Sequence, residues 1–126
     1  QDIAMRENAS ILLEKDYKEN YAGYDPNDPE SIIVLSLMKN AFRDQSIKFA
    51  TMIQNEYVKT GRIDRGVQEK SLAVLARASM PAVLTEIGFI SNPEEENYIN
   101  SEKGQNEIVS CILNAIKTYK KQVEQE

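Results

Sequence analysis

Glu86 is the side chain in this sequence best placed to do chemistry. It closes the stretch Met80-Pro81-Ala82-Val83-Leu84-Thr85-Glu86-Ile87-Gly88-Phe89, where a proline opens a mostly apolar run that stops at a carboxylate. An apolar run of this length reads as a strand buried on both faces. Open α/β folds place ligands and reacting groups at the carboxyl ends of such strands. A carboxylate there can serve as general base or acid, taking a proton from water and passing it on. The same pattern also fits a solvated glutamate at a strand end, because no nucleophile or ligand set accompanies it. Gly88 fits a simple turn or a functional approach point, and Asn92 a helix N-cap or a ligand contact. Tyr17, Tyr21 and Tyr24 fit the packing of a loop or the wall of a glycan groove. Glu7-Asn8 is a polar pair without a motif, and Cys111 reads as a small core residue.

Composition removes several classes of function. With 126 residues the chain holds one core, and 41% hydrophobic with 28% charged residues is ordinary for a globular protein. The net charge of −5 and the scattered placement of the 15 Lys and Arg disfavour a nucleic-acid surface. No apolar run approaches the roughly 20 residues of a membrane span. A single cysteine rules out a disulfide framework within the chain. There is no histidine. Catalytic zinc normally takes at least one His ligand, so this chain alone is not expected to build such a site.

The elements that would position Glu86 follow from periodicity and caps. The chain is helical in character from Gln1-Asp2-Ile3 onward, as in a piece cut from a longer fold, with a short helix over residues 2 to 14. Residues 15 to 28, rich in turn formers, read as a loop. Asp28-Pro29-Glu30 is a helix start. Leu35, Met38, Phe42, Phe49, Ile53 and Tyr57 form one stripe from there to Gly61, with a break expected near Arg43-Asp44-Gln45. Short strands are expected at 66 to 69, at Leu72-Ala73-Val74-Leu75 and at 80 to 89. A helix over 93 to 99 starts from Ser91 or Asn92. The last helix, 102 to 122, lays Ile108, Val109, Ile112, Leu113, Ile116 and Tyr119 on a sheet, and residues 122 to 126 fray. The expected fold class is α/β, a mixed β-sheet flanked by helices. Three strands are too few for such a sheet, so the sheet is expected to be incomplete in this chain, its N-terminal strands missing.

The stretch Pro81-Ala82-Val83-Leu84-Thr85-Glu86-Ile87-Gly88-Phe89-Ile90-Ser91-Asn92-Pro93-Glu94-Glu95-Glu96 resembles the C-terminal signature of the zinc-dependent N-acetylmuramoyl-L-alanine amidases, the amidase-3 type of cell-wall hydrolase. Arg6-Glu7-Asn8-Ala9, Gln45-Ser46 with Ala50, Arg65-Gly66-Val67-Gln68, Val74-Leu75 and Gly104-Gln105 with Ile108 occur in that family's order and spacing. The resemblance implies that residues 1 to 126 are the C-terminal portion of one amidase catalytic domain, with a helical and loop insertion over 8 to 35. It implies cleavage of the amide between N-acetylmuramic acid and L-alanine in peptidoglycan, by zinc-activated water with Glu86 as general base. It places the family's His, Glu and His zinc ligands before residue 1. The chain by itself is then expected to be inactive and to bind no zinc.

The resemblance further implies an autolysin or cell-division enzyme working in the periplasm or as a secreted protein. In division amidases of this family an inserted segment covers the site until an activator protein displaces it. Glu7, Glu14 and Glu19 are then the candidates for a regulatory contact to zinc, and an ordinary surface insertion is the other reading. The missing N-terminal half, or another copy, is expected to complete the sheet. Two rival readings remain at this stage. One is a non-catalytic binding or regulatory module of the cell envelope that keeps the amidase fold. The other is a structural helical protein with an incidental strand.

Overall fold

A computed structural model describes residues 3–21, 23–37 and 42–125 of the chain, and every regular element within them is helical. The expected mixed β-sheet is absent among the described residues. Its three strand candidates fail for identifiable reasons. Leu72–Leu75 closes into turns instead, with Leu72 O accepting from the N–H groups of Leu75 (3.1 Å) and Ala76 (3.0 Å). Residues 66–69 and 80–89 carry no strand or bridge among the described residues, and a strand is a property of a pair. Burial on both faces also fails. Val83 is half-buried, whereas Leu84, Phe89 and Ile90 are exposed.

The chain forms two compact units, each built from two stretches of sequence. The first combines Gln1–Arg43 with Gln68–Ala82. Helix α1 (Ile3–Ala9) runs into a 3₁₀ turn, Ser10–Leu13, so the helix expected over 2 to 14 divides in two; Asp2 lies outside the described residues. A single-turn helix α2 (Tyr17–Asn20) interrupts the expected loop. Helix α3 (Pro29–Leu37) starts as its sequence dictates: Asp28 Oδ1 accepts from the Glu30 N–H at 3.0 Å. Ile11, Leu35 and Ala73 form the buried core, and Tyr17, Tyr21, Tyr24 and Ala76 pack against it. The three tyrosines therefore anchor their own loop.

Asn8 joins the two stretches of this unit. It is buried at 7% exposure. Its Nδ2 donates to Ser71 O at 2.9 Å, and its Oδ1 accepts from the Ala73 N–H at 2.8 Å. A buried amide is tolerated when both of its ends are satisfied this way. On the surface, Arg43 forks onto Glu69, with Nη2 to Oε2 at 2.8 Å. That pair holds the Glu69 carboxyl below its ordinary pKa.

The second unit combines Asp44–Val67 with Val83–Glu126. Helix α4 spans Arg43–Lys59, so the expected break in the long helix falls at the anticipated place. Met38 of the expected stripe lies outside the described residues. Helix α5 (Pro93–Asn100) and helix α6 (Glu102–Glu124) follow, the latter running past the point where fraying was expected. The core is Ile53, Tyr57, Ile108, Cys111 and Ala115, with Phe49, Met52, Val83, Ile87, Tyr98 and Ile112 around it. On α6 the buried stripe is Gly104-Ile108-Cys111-Ala115, whereas Val109, Leu113 and Ile116 are exposed. The expected packing face is thus rotated, because α6 meets small residues against α4 and α5 in place of a sheet.

The α5–α6 corner tolerates nothing larger than glycine at position 104. A Cβ there would lie 1.8 Å from Tyr98 O. Ser101 caps α6, accepting from the Gly104 N–H at 2.9 Å while its hydroxyl donates to Tyr98 O at 2.7 Å.

Candidate functional site

Glu86 sits in the second unit on an extended segment that ends in a hook, residues 87–92, before α5. Its side chain is solvent-exposed. The hook is built by side chains, since no strand ladder runs along it. Gly88 has φ of +152°, and a Cβ on it would meet Ile99 Cδ1 at 2.8 Å and Arg62 Nη2 at 3.2 Å. Glycine is therefore needed for conformation and for space. The turn itself falls just after Gly88, where Phe89 O accepts from the Asn92 N–H at 3.0 Å.

Two arginines from the connection after α4 grip this hook. Arg62 donates through Nη2 to Ile87 O, the carbonyl that follows Glu86. Its guanidinium lies 5.0 Å from the Tyr98 ring centroid and 5.7 Å from that of Tyr57. Arg65 lies 4.5 Å from the Phe89 ring centroid and pairs with Glu95 at 3.3 Å. Glu95 Oε2 accepts from the Phe89 N–H at 3.1 Å. Asn92 is the N-cap of α5, accepting from Glu94 N at 3.0 Å and Glu95 N at 3.4 Å. Of the two starts expected for this helix, the structure selects Asn92.

Tyr57, at 8% exposure, lies beneath the same segment. Burial pushes its hydroxyl pKa up. The Thr85 side chain and the Arg62 charge offset part of that rise, although Tyr57 Oη completes no hydrogen bond of full geometry among the described residues. Arg62, Arg65, Tyr57 and Tyr98 are the site's missed members. The aromatic residues sit in helical patterns that look like ordinary packing, and Arg62-Ile63-Asp64-Arg65 reads as a polar connection. The nearest signal is Arg65 within the Arg65-Gly66-Val67-Gln68 stretch.

The other candidate acids lie in the first unit. Glu7 is on α1, half-buried, and its carbonyl accepts from Ser10 Oγ at 2.6 Å. The Glu14 carboxylate accepts from the Tyr21 hydroxyl at 2.7 Å, and that bond, with some burial, holds the Tyr21 pKa above its ordinary value. Glu19 is exposed on α2. An open groove of about 320 Å³ between α4 and α6 is lined by Glu56, Glu107, Ser110 and Cys111 among others, and Glu86 is not part of it.

Among the described residues no group of three or more His, Cys, Asp or Glu stands close enough to hold a metal ion. With no histidine in the chain, these residues do not fit a zinc site on their own. What the arrangement offers is one exposed carboxylate on a backbone gripped just downstream. That suits proton transfer to or from a bound molecule.

A family model described as N-acetylmuramoyl-L-alanine amidase (Amidase_3) matches residues 8–118. An uncharacterized protein of Bacillus subtilis, YqiI, is 35% identical over 77 residues, 60% of this chain and 37% of that protein. The N-acetylmuramoyl-L-alanine amidase AmiC of Escherichia coli O6:H1 is 35% identical over 75 residues, 59% of this chain and 18% of that protein. AmiC of Neisseria meningitidis serogroup B is 29% identical over 87 residues, 68% of this chain and 21% of that protein. The chain thus spans between 18% and 37% of the length of these relatives. No solved structure matches it.

Proposed function

Since the chain belongs to the N-acetylmuramoyl-L-alanine amidase family, we propose that the protein carrying it hydrolyses the amide between N-acetylmuramic acid and the L-alanine of the stem peptide. Glu86 is the general base that takes a proton from the attacking water and the acid that delivers it to the leaving amine. The observation that carries this reading is the family match over residues 8–118, which places Glu86 in a matched stretch whose following backbone is gripped by Arg62 and Arg65. Zinc, the cofactor implied by the family, belongs in this reading to residues other than those of this chain, and the isolated chain is inactive. The site of action is the cell envelope, periplasmic or extracellular. The 8–35 segment, with Glu7, Glu14 and Glu19, is the place where an activator would act.

The test is digestion of purified peptidoglycan by the full-length protein, with products identified by mass spectrometry and metal content measured alongside. Expected products are glycan strands with free lactyl groups and peptides beginning in L-alanine. Glu86→Gln should lower kcat by about 10²- to 10⁴-fold, the usual contribution of a positioned acid or base. Cleavage within the glycan strand or between stem residues would reject the reading. So would a Glu86→Gln variant with wild-type turnover. Peptidoglycan binding without hydrolysis would favour the envelope-binding module instead.

A further inference from the structure

We infer that Arg62 is a positioning residue for Glu86, setting the direction in which the carboxylate leaves the backbone; the inference rests on the amidase reading of Glu86. A strand ladder would ordinarily fix such a residue, and none runs along residues 81–89 among the described residues. Arg62 takes over part of that work. Its Nη2 donates to Ile87 O, the carbonyl immediately after Glu86. The guanidinium is restrained in turn, standing 5.0 Å from the Tyr98 ring centroid and 5.7 Å from that of Tyr57. A planar fork seated on aromatic faces is a fixed donor in a way that a lysine ammonium is not.

The fit is close on the backbone side too. A Cβ at Gly88 would come within 3.2 Å of Arg62 Nη2, so the arginine presses against the chain at the first bend after Glu86. Arg65 and Glu95 hold the far side of the bend, through the Phe89 ring and the Phe89 N–H. The bend is held at a carbonyl, an N–H and a ring, and the Arg62 contact falls on the residue directly after Glu86. A catalytic group displaced by about 1 Å can lose on the order of 10²-fold in rate, so this contact bears directly on turnover.

A merely structural role makes a different expectation: Arg62 would fill space between two rings, and its loss would lower stability while the folded fraction kept its kcat. The experiment is steady-state kinetics on muropeptides with the full-length protein, its Arg62→Ala and Arg62→Lys variants, and thermal unfolding of each. Both variants are expected to lose kcat by about 10- to 100-fold at nearly unchanged KM. Methylguanidinium should restore part of the Arg62→Ala loss. A folded Arg62→Ala with kcat within twofold of wild type, or a loss confined to KM, overturns the inference. If Arg62→Ala does not fold, Arg62→Lys is read by the same criterion. A wild-type protein without hydrolysis removes the amidase reading instead. Positioning is then read from amide exchange at Gly88 and Phe89, and unchanged exchange in Arg62→Lys overturns it.

Discussion

Cys111 is a free thiol in the buried stripe of α6. The residue is 5% exposed, and its Sγ donates to Glu56 O at 3.5 Å. Burial pushes its pKa up, and the Glu56 and Glu107 carboxylates push further in the same direction. The thiolate is the reactive form. Native protein at pH 8 should therefore react with a thiol reagent such as DTNB markedly more slowly than the unfolded chain, because occlusion of the thiol adds to its raised pKa. Labelling at the unfolded rate would show that α6 does not pack as described. Glu86 is a different case. Its place after an apolar run was legible in the sequence. Its grip was not, because Arg62 reaches Ile87 O from 25 positions away and Arg65 reaches the Phe89 ring from nearly as far off in sequence.

The helices were mostly legible as elements, since caps are local chemistry. Asp28, Asn92 and Ser101 each accept from backbone N–H groups two or three residues on. Replacing Asn92 by Ala should cost about 1 kcal/mol. Gly104→Ala should cost more, about 1–3 kcal/mol or above, because its Cβ would collide with Tyr98 O on the neighbouring helix rather than with a flexible side chain. Urea unfolding of the three proteins tests the order, and an Asn92→Ala variant less stable than Gly104→Ala would contradict it. The strand expectations failed where the helix expectations held. An apolar run such as Leu72–Leu75 carries no information on whether its backbone will bond to a neighbour or to itself, and here Leu72 O bonds to residues three and four along.

Across the molecule, Tyr21, Tyr24, Tyr57 and Tyr98 sit in environments that favour the neutral hydroxyl. Tyr98 is pushed up to about 12, first by burial and then by the Glu107 carboxylate that accepts its hydrogen bond. Tyr57 and Tyr24 are raised chiefly by burial. A hydroxyl with a higher pKa folded than unfolded favours the native state while both states are protonated. That advantage is present below about pH 10, the unfolded tyrosine value, and is lost as pH rises towards 12. Cys111 starts the same decline from about pH 9. The urea midpoint should hold steady near neutrality and fall above pH 9, most steeply beyond pH 10; a midpoint that climbs over that range would refute the burial of these groups. By itself the sequence determined the start of α3 at Asp28-Pro29, the break near Arg43, the start of α6 and the burial of Cys111. These rest on side chains meeting backbone within one turn, or on a face repeating every three to four residues. Only the tertiary structure decided that residues 81–89 are held by arginines instead of a ladder, that α6 buries its small-residue stripe, and that Asn8 ties α1 to Ser71 and Ala73. Those outcomes depend on which distant groups come within hydrogen-bond reach, and local pattern does not encode that distance.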